Sequence, residues 1–194
     1  MIYLVPHSSH GHMPLSIHFE MKIDRVCAEM MVQWHVICLH SEHHKSYLSK
    51  LKPLHIQYNQ LVRTQTRKEQ LWQDTCFEMF IFDNTGDNYV ELHNDGKGNW
   101  NHLSFSGYRT PGKQSVLKNF LPLETKAYHT NQTSYTLQAR WQVPQQMHIS
   151  SQLKPACILY TAEGPSYWSN RHAPGRPDFH RQDHHMNSSL RGPT

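Results

Sequence analysis

The sequence predicts an all-β protein, organised as an antiparallel β-sandwich of about eight to ten strands. Three observations support this fold class. Apolar and polar residues alternate with a period of two in most of the apolar stretches, as in strands that bury one face. Short clusters of Asn, Asp, Gly and Pro separate these stretches, and no amphipathic stretch is long enough to form a stable helix. The 194 residues fit a single domain of this class.

The first two strands are predicted at residues 15–23 and 29–39, where every second residue is apolar. We expect these two strands to form a hairpin that turns near residues 24–28. Residues 1–14 precede the first regular alternation, and we expect a flexible N-terminal arm there. A polar loop follows the hairpin, and residues 54–58 alternate as a further short strand.

The stretch LWQDTCFEMFIF at residues 71–82 is the central feature of the sequence. Strict alternation places Phe77, Met79 and Ile81 on one face of a strand and Cys76, Glu78 and Phe80 on the other. A carboxylate among aromatic side chains is costly to bury unless it is hydrogen-bonded or paired. We therefore expect one face to belong to the core, and Glu78 to have a partner on the other.

A turn signature at residues 83–88 leads into a returning strand, YVELHN, at residues 89–94. In this strand Tyr89, Glu91 and His93 share one face. If the apolar sets of both strands face the core, Glu78 and Glu91 lie on the same outer face in adjacent strands. Because two neighbouring carboxylates repel, a cation, a hydrogen-bond donor or a ligand is expected beside them.

Three further strands are predicted at residues 99–106, 135–143 and 156–162. The last is nearly continuous in apolar residues, which is typical of a central strand. Trp34, Trp100 and Trp141 lie within predicted strands, and we expect them to pack in the core.

The end of the chain is rich in Pro and Gly, which excludes a regular helix or strand beyond Trp168. Asp178 and His180 are expected to cap or tether this last segment. The sequence thus predicts one domain over residues 15–182, followed by a polar C-terminal tail at residues 183–194.

Composition excludes several classes of function. No apolar run is long enough to span a membrane, and the N-terminus lacks the positive region of a secretory signal, so a cytoplasmic protein is predicted. The formal charge of +4 is scattered, which does not indicate nucleic-acid binding. The four cysteines lack CxxC spacing and are expected to be thiols. The seventeen histidines form no HExxH or paired Cys/His motif, so no metal site or cofactor is expected.

Four blocks of sequence, LWQDTCFEMFIF, YVELHNDGKGNWN, GYR and SYWSNRHAPGRPDFH, resemble in order and spacing the DOMON-like bacterial proteins that are similar to family 9 carbohydrate-binding modules. The resemblance implies an immunoglobulin-like β-sandwich in which two tryptophans enclose a sugar. Trp72 and Glu78 match the Trp and Glu of the family's W.DD..E pattern, and Trp168 matches the second tryptophan. Thr75 and Cys76 depart from that pattern, which bears on sugar specificity and on any bound calcium.

The first functional hypothesis is therefore a non-catalytic domain that binds a small molecule, a sugar or a cell-wall fragment, through Trp72, Glu78, Glu91, Arg109 and Trp168. Tryptophan faces stack on the C–H patch of a sugar, and charged side chains bond its hydroxyls. The structural alternative is that Trp72 closes the end of the sandwich and Glu78 pairs with an arginine. A haem- or metal-binding domain, a glycoside hydrolase using Glu78 and Glu91, and a protein-interaction domain also remain open, as does the oligomeric state.

Overall fold

The computed structural model describes residues 1–10, 15–39, 66–83, 88–112, 120–131, 133–144, 153–161 and 164–181. Regular structure within these residues consists of eleven strands and two 3-10 helices, at Ser8–His10 and Leu71–Gln73. The strands are β1 (Ile2–Pro6), β2 (Leu15–Asp24), β3 (Glu29–Cys38), β4 (Thr66–Arg67), β5 (Cys76–Phe82), β6 (Tyr89–Asn94), β7 (Asn99–Phe105), β8 (Leu121–Asn131), β9 (Ser134–Gln142), β10 (Leu153–Thr161) and β11 (Gly164–Ser169). The all-β class predicted from the sequence is confirmed.

The strands hydrogen-bond in one continuous order, β4-β7-β6-β5-β10-β11-β1-β2-β3-β9-β8. Every neighbouring pair is antiparallel except β4 and β7, which are parallel over two residues. The result is one curled, mixed sheet of eleven strands. The prediction of an immunoglobulin-like sandwich of eight to ten antiparallel strands is not confirmed in that form.

The core lies where the two halves of the curled sheet face each other. The ring of Trp34 on β3 lies 5.7 Å from that of Phe77 on β5, and Phe77 stacks on Tyr135 of β9 at 6.0 Å, measured between ring centroids. All three side chains are fully buried. Their burial follows from the period-two pattern of the sequence, because alternate residues of each strand point to the same side of the sheet. The predicted core face of β5, with Phe77, Met79 and Ile81, is confirmed.

The start of the chain differs from the predicted flexible arm of residues 1–14. Ile2–Pro6 form β1, which pairs with β2 on one side and with β11 on the other. The expectation of a loose arm was wrong for these residues, because a five-residue strand between two neighbours needs little apolar periodicity of its own. Only Leu4 of this strand is fully buried.

Strand β8 was not predicted. Its outward-facing Leu121 and Leu123 are exposed, and the residues that face the core are the small Thr125 and Ala127. An edge strand of this kind lacks the strong alternation by which β9 was found. Trp34 and Trp141 are fully buried and Trp100 packs against the core, as expected.

Beyond β11 the chain continues as an irregular stretch, residues 170–181, which we call the C-terminal segment. Asp178 fixes it in place: its carboxylate accepts a hydrogen bond from the backbone N–H of His180 at 3.0 Å and pairs with Arg109 Nη2 at 3.1 Å. Lys154 Nζ on β10 also donates to the carbonyl of Arg181 at 3.3 Å. The tethering role expected of Asp178 is confirmed.

None of the four cysteines forms a disulfide, which agrees with the predicted thiols. The described residues include no helix of the length and apolarity that crossing a membrane requires. The strand predicted at residues 54–58, most of the polar segment around it and the tail at residues 183–194 lie outside the described residues.

Candidate ligand-binding site

A pocket of about 450 Å³ lies on the outer face of the half-sheet formed by β7, β6, β5, β10 and β11, on the side opposite the core. The C-terminal segment and the loop after β7 form its other sides. Its lining combines aromatic and aliphatic residues with ionisable ones: Trp72, Glu78, Phe80, Glu91, His93, Leu103, Phe105, Arg109, Ile158, Tyr160, Tyr167, Pro177, Phe179 and His180. The volume is within the usual range for small-molecule sites.

The β5–β6 hairpin places two carboxylates in this pocket. The register pairs Glu78 with His93, and Phe80 with Glu91, so that Glu78, His93 and Glu91 share the outer face as the sequence predicted. His93 Nε2 lies 3.2 Å from Glu91 Oε2 and 3.9 Å from Glu78 Oε1. One imidazole therefore contacts both carboxylates. The donor or cation expected beside the two glutamates is His93.

A second imidazole approaches Glu91 from the C-terminal segment. His180 Nδ1 lies 3.0 Å from Glu91 Oε1 and 2.7 Å from the hydroxyl of Tyr89. The ring of His180 also packs edge-on against Phe80. His180 therefore does more than end the segment: it completes the surroundings of a buried carboxylate.

The two glutamates have opposite pKa shifts. Burial, with the charge of Glu91 adding to it, raises the pKa of Glu78 to about 7, although the nearby imidazole of His93 opposes this. Burial acts in the same direction on Glu91, but hydrogen bonds from His180 and His93 outweigh it and lower the pKa of that carboxyl. Glu91 is thus held as the carboxylate, while Glu78 changes protonation near neutral pH.

His93 balances these charges. Burial disfavours its imidazolium, but the carboxylates of Glu78 and Glu91 outweigh this effect and raise its pKa. The imidazole is fully buried, and its Nδ1 makes no hydrogen bond with any described residue. The floor of the pocket is therefore a compact, ionisable network.

Trp72 provides an aromatic surface at the edge of the pocket. It belongs to the 3-10 helix Leu71–Gln73, which precedes β5, and 39% of its surface is exposed. Its ring lies edge-on to His93 at 5.9 Å. Tyr160 positions this turn, because its hydroxyl donates to the carbonyl of Trp72 at 3.4 Å and its backbone N–H donates to Thr75 Oγ1 at 3.0 Å. The structure thus places Trp72 among the residues that line the pocket.

Arg109 lies on the rim of the pocket, in the loop after β7. Its backbone has a positive φ of 52°, and its N–H donates to the hydroxyl of Tyr89 at 3.2 Å. Its guanidinium pairs with Asp178, and about half of the side chain is exposed. The structure thus brings Arg109 together with Trp72, Glu78 and Glu91 as lining residues.

Trp168 was predicted as the second tryptophan of the site, and this was wrong. Its side chain is 1% exposed and belongs to the core cluster, on the opposite face of the sheet from the pocket. Its indole N–H donates to Ser166 Oγ at 3.0 Å. The preceding residue, Tyr167, lines the pocket instead. Neighbouring residues of a strand point to opposite faces, and only the position of β11 in the sheet decides which of the two faces the pocket.

The fold is similar to that of a bacterial protein of known structure. A crystal structure described as a putative carbohydrate-binding protein from Bacteroides uniformis ATCC 8492 superposes with a TM-score of 0.53 and 13% sequence identity, over 95% of this chain and 84% of that chain. No protein-family model and no curated protein matches the sequence. At this level of identity the similarity shows the fold alone.

The chemistry of the pocket follows from its two kinds of lining. Aromatic rings offer flat apolar surfaces, whereas the carboxylates and imidazoles offer hydrogen-bond acceptors and donors in a small space. Cys76, Glu78 and His93 also form a group of three potential metal ligands. The sequence analysis did not predict four of the lining residues as site residues: Tyr160, Tyr167, Phe179 and His93. The first three come from β10, β11 and the C-terminal segment, and the sequence does not specify which strands lie beside these parts of the chain.

Proposed function

We propose that this protein binds a carbohydrate in the pocket on the outer face of the sheet. The observation on which the proposal depends is the combination of a partly exposed Trp72 with two buried carboxylates, Glu78 and Glu91, of which Glu91 lies 3.2 Å from His93 and 3.0 Å from His180. A sugar presents a patch of C–H groups and a rim of hydroxyls. The Trp72 ring can pack on the C–H patch, and the carboxylates can accept hydrogen bonds from the hydroxyls. The similar Bacteroides structure, described in its own case as that of a putative carbohydrate-binding protein, supports the same class of ligand.

The proposed mode of binding differs from the family 9 resemblance in one respect. Trp72 would stack on one side of the sugar ring, and Tyr160 or Tyr167 would take the position that the resemblance gave to Trp168. Glu91, held as a carboxylate, would accept hydrogen bonds from hydroxyls. The relation to DOMON-like proteins, and their immunoglobulin-like sandwich, belongs to this proposal and rests on the four sequence blocks.

The test is isothermal titration calorimetry of the protein with monosaccharides, oligosaccharides, cell-wall fragments and nucleotide sugars. Calorimetry is preferable to fluorescence because replacing Trp72 removes a fluorophore. We expect at least one class to bind, and Trp72→Ala to weaken binding about tenfold or more, as loss of a stacking ring implies.

The matched control is Tyr3→Ala, since Tyr3 is an exposed aromatic residue on β1 that does not line the pocket. This variant should bind as the unmodified protein does. Absence of binding across the whole panel would refute the proposal, as would equal affinity of Trp72→Ala and the unmodified protein.

A second candidate is hydrolysis of a glycosidic bond. The observation that favours it is that Glu78 and Glu91 line the same pocket and contact the same imidazole nitrogen. Glycoside hydrolases use two carboxyl groups about 5 Å apart when they retain configuration and about 6.5–9.5 Å apart when they invert it. Release of nitrophenol from a panel of aryl glycosides, lost in both Glu78→Gln and Glu91→Gln, would establish it. No turnover of ligands that bind would exclude it.

A further inference from the structure

Three side chains with good metal-binding atoms meet at the floor of the pocket. Cys76 and Glu78 lie two residues apart on the outer face of β5, and His93 is paired with Glu78 across the hairpin. Their ligand atoms, one from each residue, all lie within 4.8 Å of one another. All three residues are buried, and two of them, Glu78 and His93, line the pocket.

The burial of three ionisable groups in one place needs a physical reason, since a buried charge or unpaired polar group is costly. Cys76, Glu78 and His93 are each at most 3% exposed. A divalent cation bound between them would compensate the negative charges of the thiolate and the carboxylate.

His93 provides an independent indication. Its Nε2 lies 3.2 Å from Glu91 Oε2, whereas its buried Nδ1 makes no hydrogen bond with the described part of the chain. In metal sites a ligating histidine usually forms a hydrogen bond to a carboxylate or carbonyl through its other ring nitrogen, and Glu91 is a carboxylate within hydrogen-bond distance of His93. Glu91 would then orient the ligand rather than bind the ion.

The kind of ion follows from the ligand atoms. Thiolate, imidazole and carboxylate together suit zinc and similar transition metals, whereas calcium and magnesium prefer oxygen alone. Asp95, which directly follows β6, is already used by its own turn: its oxygens accept hydrogen bonds from the backbone of Lys97 and Asn99 and from the Asn99 amide. The set therefore contains one sulfur, one nitrogen and one carboxylate.

We propose that Cys76, Glu78 and His93 bind one divalent transition-metal ion of the zinc class at the floor of the pocket. Three protein ligands leave a fourth tetrahedral position open, which is the arrangement of sites that bind water or a ligand rather than of purely structural sites. This inference does not depend on the proposed carbohydrate function, because the metal can be measured in the absence of any sugar.

The experiment is a titration of the metal-free, reduced full-length protein with Co²⁺, which substitutes for zinc and gives a thiolate-to-cobalt absorption band only when a cysteine binds it. We expect the band to saturate at one equivalent and to disappear when one equivalent of Zn²⁺ is added. The numerous histidines elsewhere in the chain can bind cobalt, but they produce no thiolate band.

Cysteine variants assign the ligand. Cys76→Ser should abolish the band, whereas Cys157→Ser, a matched change at another fully buried cysteine on the core side of β10, should keep it. If Cys76→Ser does not fold, retention of the band in single serine variants at Cys27, Cys38 and Cys157 assigns it to Cys76 by elimination. His93→Gln should weaken cobalt binding at least tenfold.

The proposal is overturned if the unmodified protein gives no thiolate band at one equivalent, if the band persists in folded Cys76→Ser, or if it is lost in one of the other cysteine variants. Because none of these measurements uses a sugar, failure here leaves the carbohydrate proposal standing. Absence of sugar binding would likewise leave the metal site standing.

Discussion

Strand β5 has two faces that are equally inaccessible to solvent and differ in polarity. On the core side Phe77 packs between aromatic rings, and its neighbours Met79 and Ile81 are as fully buried. On the pocket side Glu78 is also buried, but it lies among ionisable groups. Burial alone therefore does not distinguish core from site in this protein. The distinction comes from whether the buried groups need partners that can exchange protons, ions or ligands.

The largest difference in stability should be found between alanine variants of two tryptophans, Trp168 and Trp72, which lie on opposite sides of this half-sheet. Trp168→Ala removes a fully buried ring from the core and should lower the free energy of unfolding by about 3–5 kcal/mol. Trp72→Ala removes a ring that is 39% exposed and should cost about 1 kcal/mol. Urea denaturation of both variants measures the difference. Similar losses for the two would show that the pocket edge is part of the core.

The next effect concerns the pH dependence of stability, measured with a chelator present. Glu78 has a pKa of about 7 when folded, against an ordinary value of 4.5, so the folded protein keeps a proton that the unfolded chain releases. Its contribution is fully present below about pH 4.5 and is lost as the pH rises through 7, by on the order of 3 kcal/mol.

Glu78→Gln should therefore flatten the fall in unfolding free energy between pH 5 and about 7.5. The exposed Glu69 provides a control, since Glu69→Gln should retain the slope of the unmodified protein. Identical slopes for Glu78→Gln and the unmodified protein would mean that Glu78 is ionised throughout this range.

The smallest effect should come from the tether of the C-terminal segment. Burial alone would raise the pKa of Asp178, but hydrogen bonds from Tyr108, His180 and Arg109 outweigh it and lower that pKa. The stabilisation is thus present above the ordinary pKa of 3.8 and is lost as the pH falls through the folded value.

We expect Asp178→Asn to lower the free energy of unfolding by about 1 kcal/mol at pH 7 and by less at pH 3. A double-mutant cycle with Arg109→Gln isolates the ion pair, for which a coupling of about 0.5 kcal/mol is expected. A loss that is the same at both pH values would exclude an electrostatic origin.

The sequence predicted the strands with a strong period of two and the shared face of Glu78 and Glu91, because alternation is a local property. It did not predict β1, whose place depends on its pairing with the distant strand β11 as well as with β2, or β8, whose inward residues are small. The same reason explains the error at Trp168. Residues 166–169 contain both Tyr167 and Trp168, and local pattern does not say which of these adjacent side chains faces the pocket.

His93 and His180 illustrate the second limit. His93 was predicted to share a face with Glu91, but its contact with Glu78 depends on the register between β5 and β6. His180 is 89 residues away from Glu91 in the chain and meets it only because the C-terminal segment crosses the outer face of the sheet. Long-range contacts of this kind leave no signature in composition or spacing.

The position of β1 has a consequence for how the chain folds during synthesis. Because β1 bridges β11 and β2, the two halves of the sheet are joined through strands from opposite ends of the described chain. The β2–β3 hairpin can form as soon as it leaves the ribosome, but β1 lacks its second neighbour until β11 has been made. Contacts of such high sequence separation slow folding. We expect the nascent chain to expose an unpaired edge of β1 until translation passes residue 169, a period in which chaperones would find it accessible.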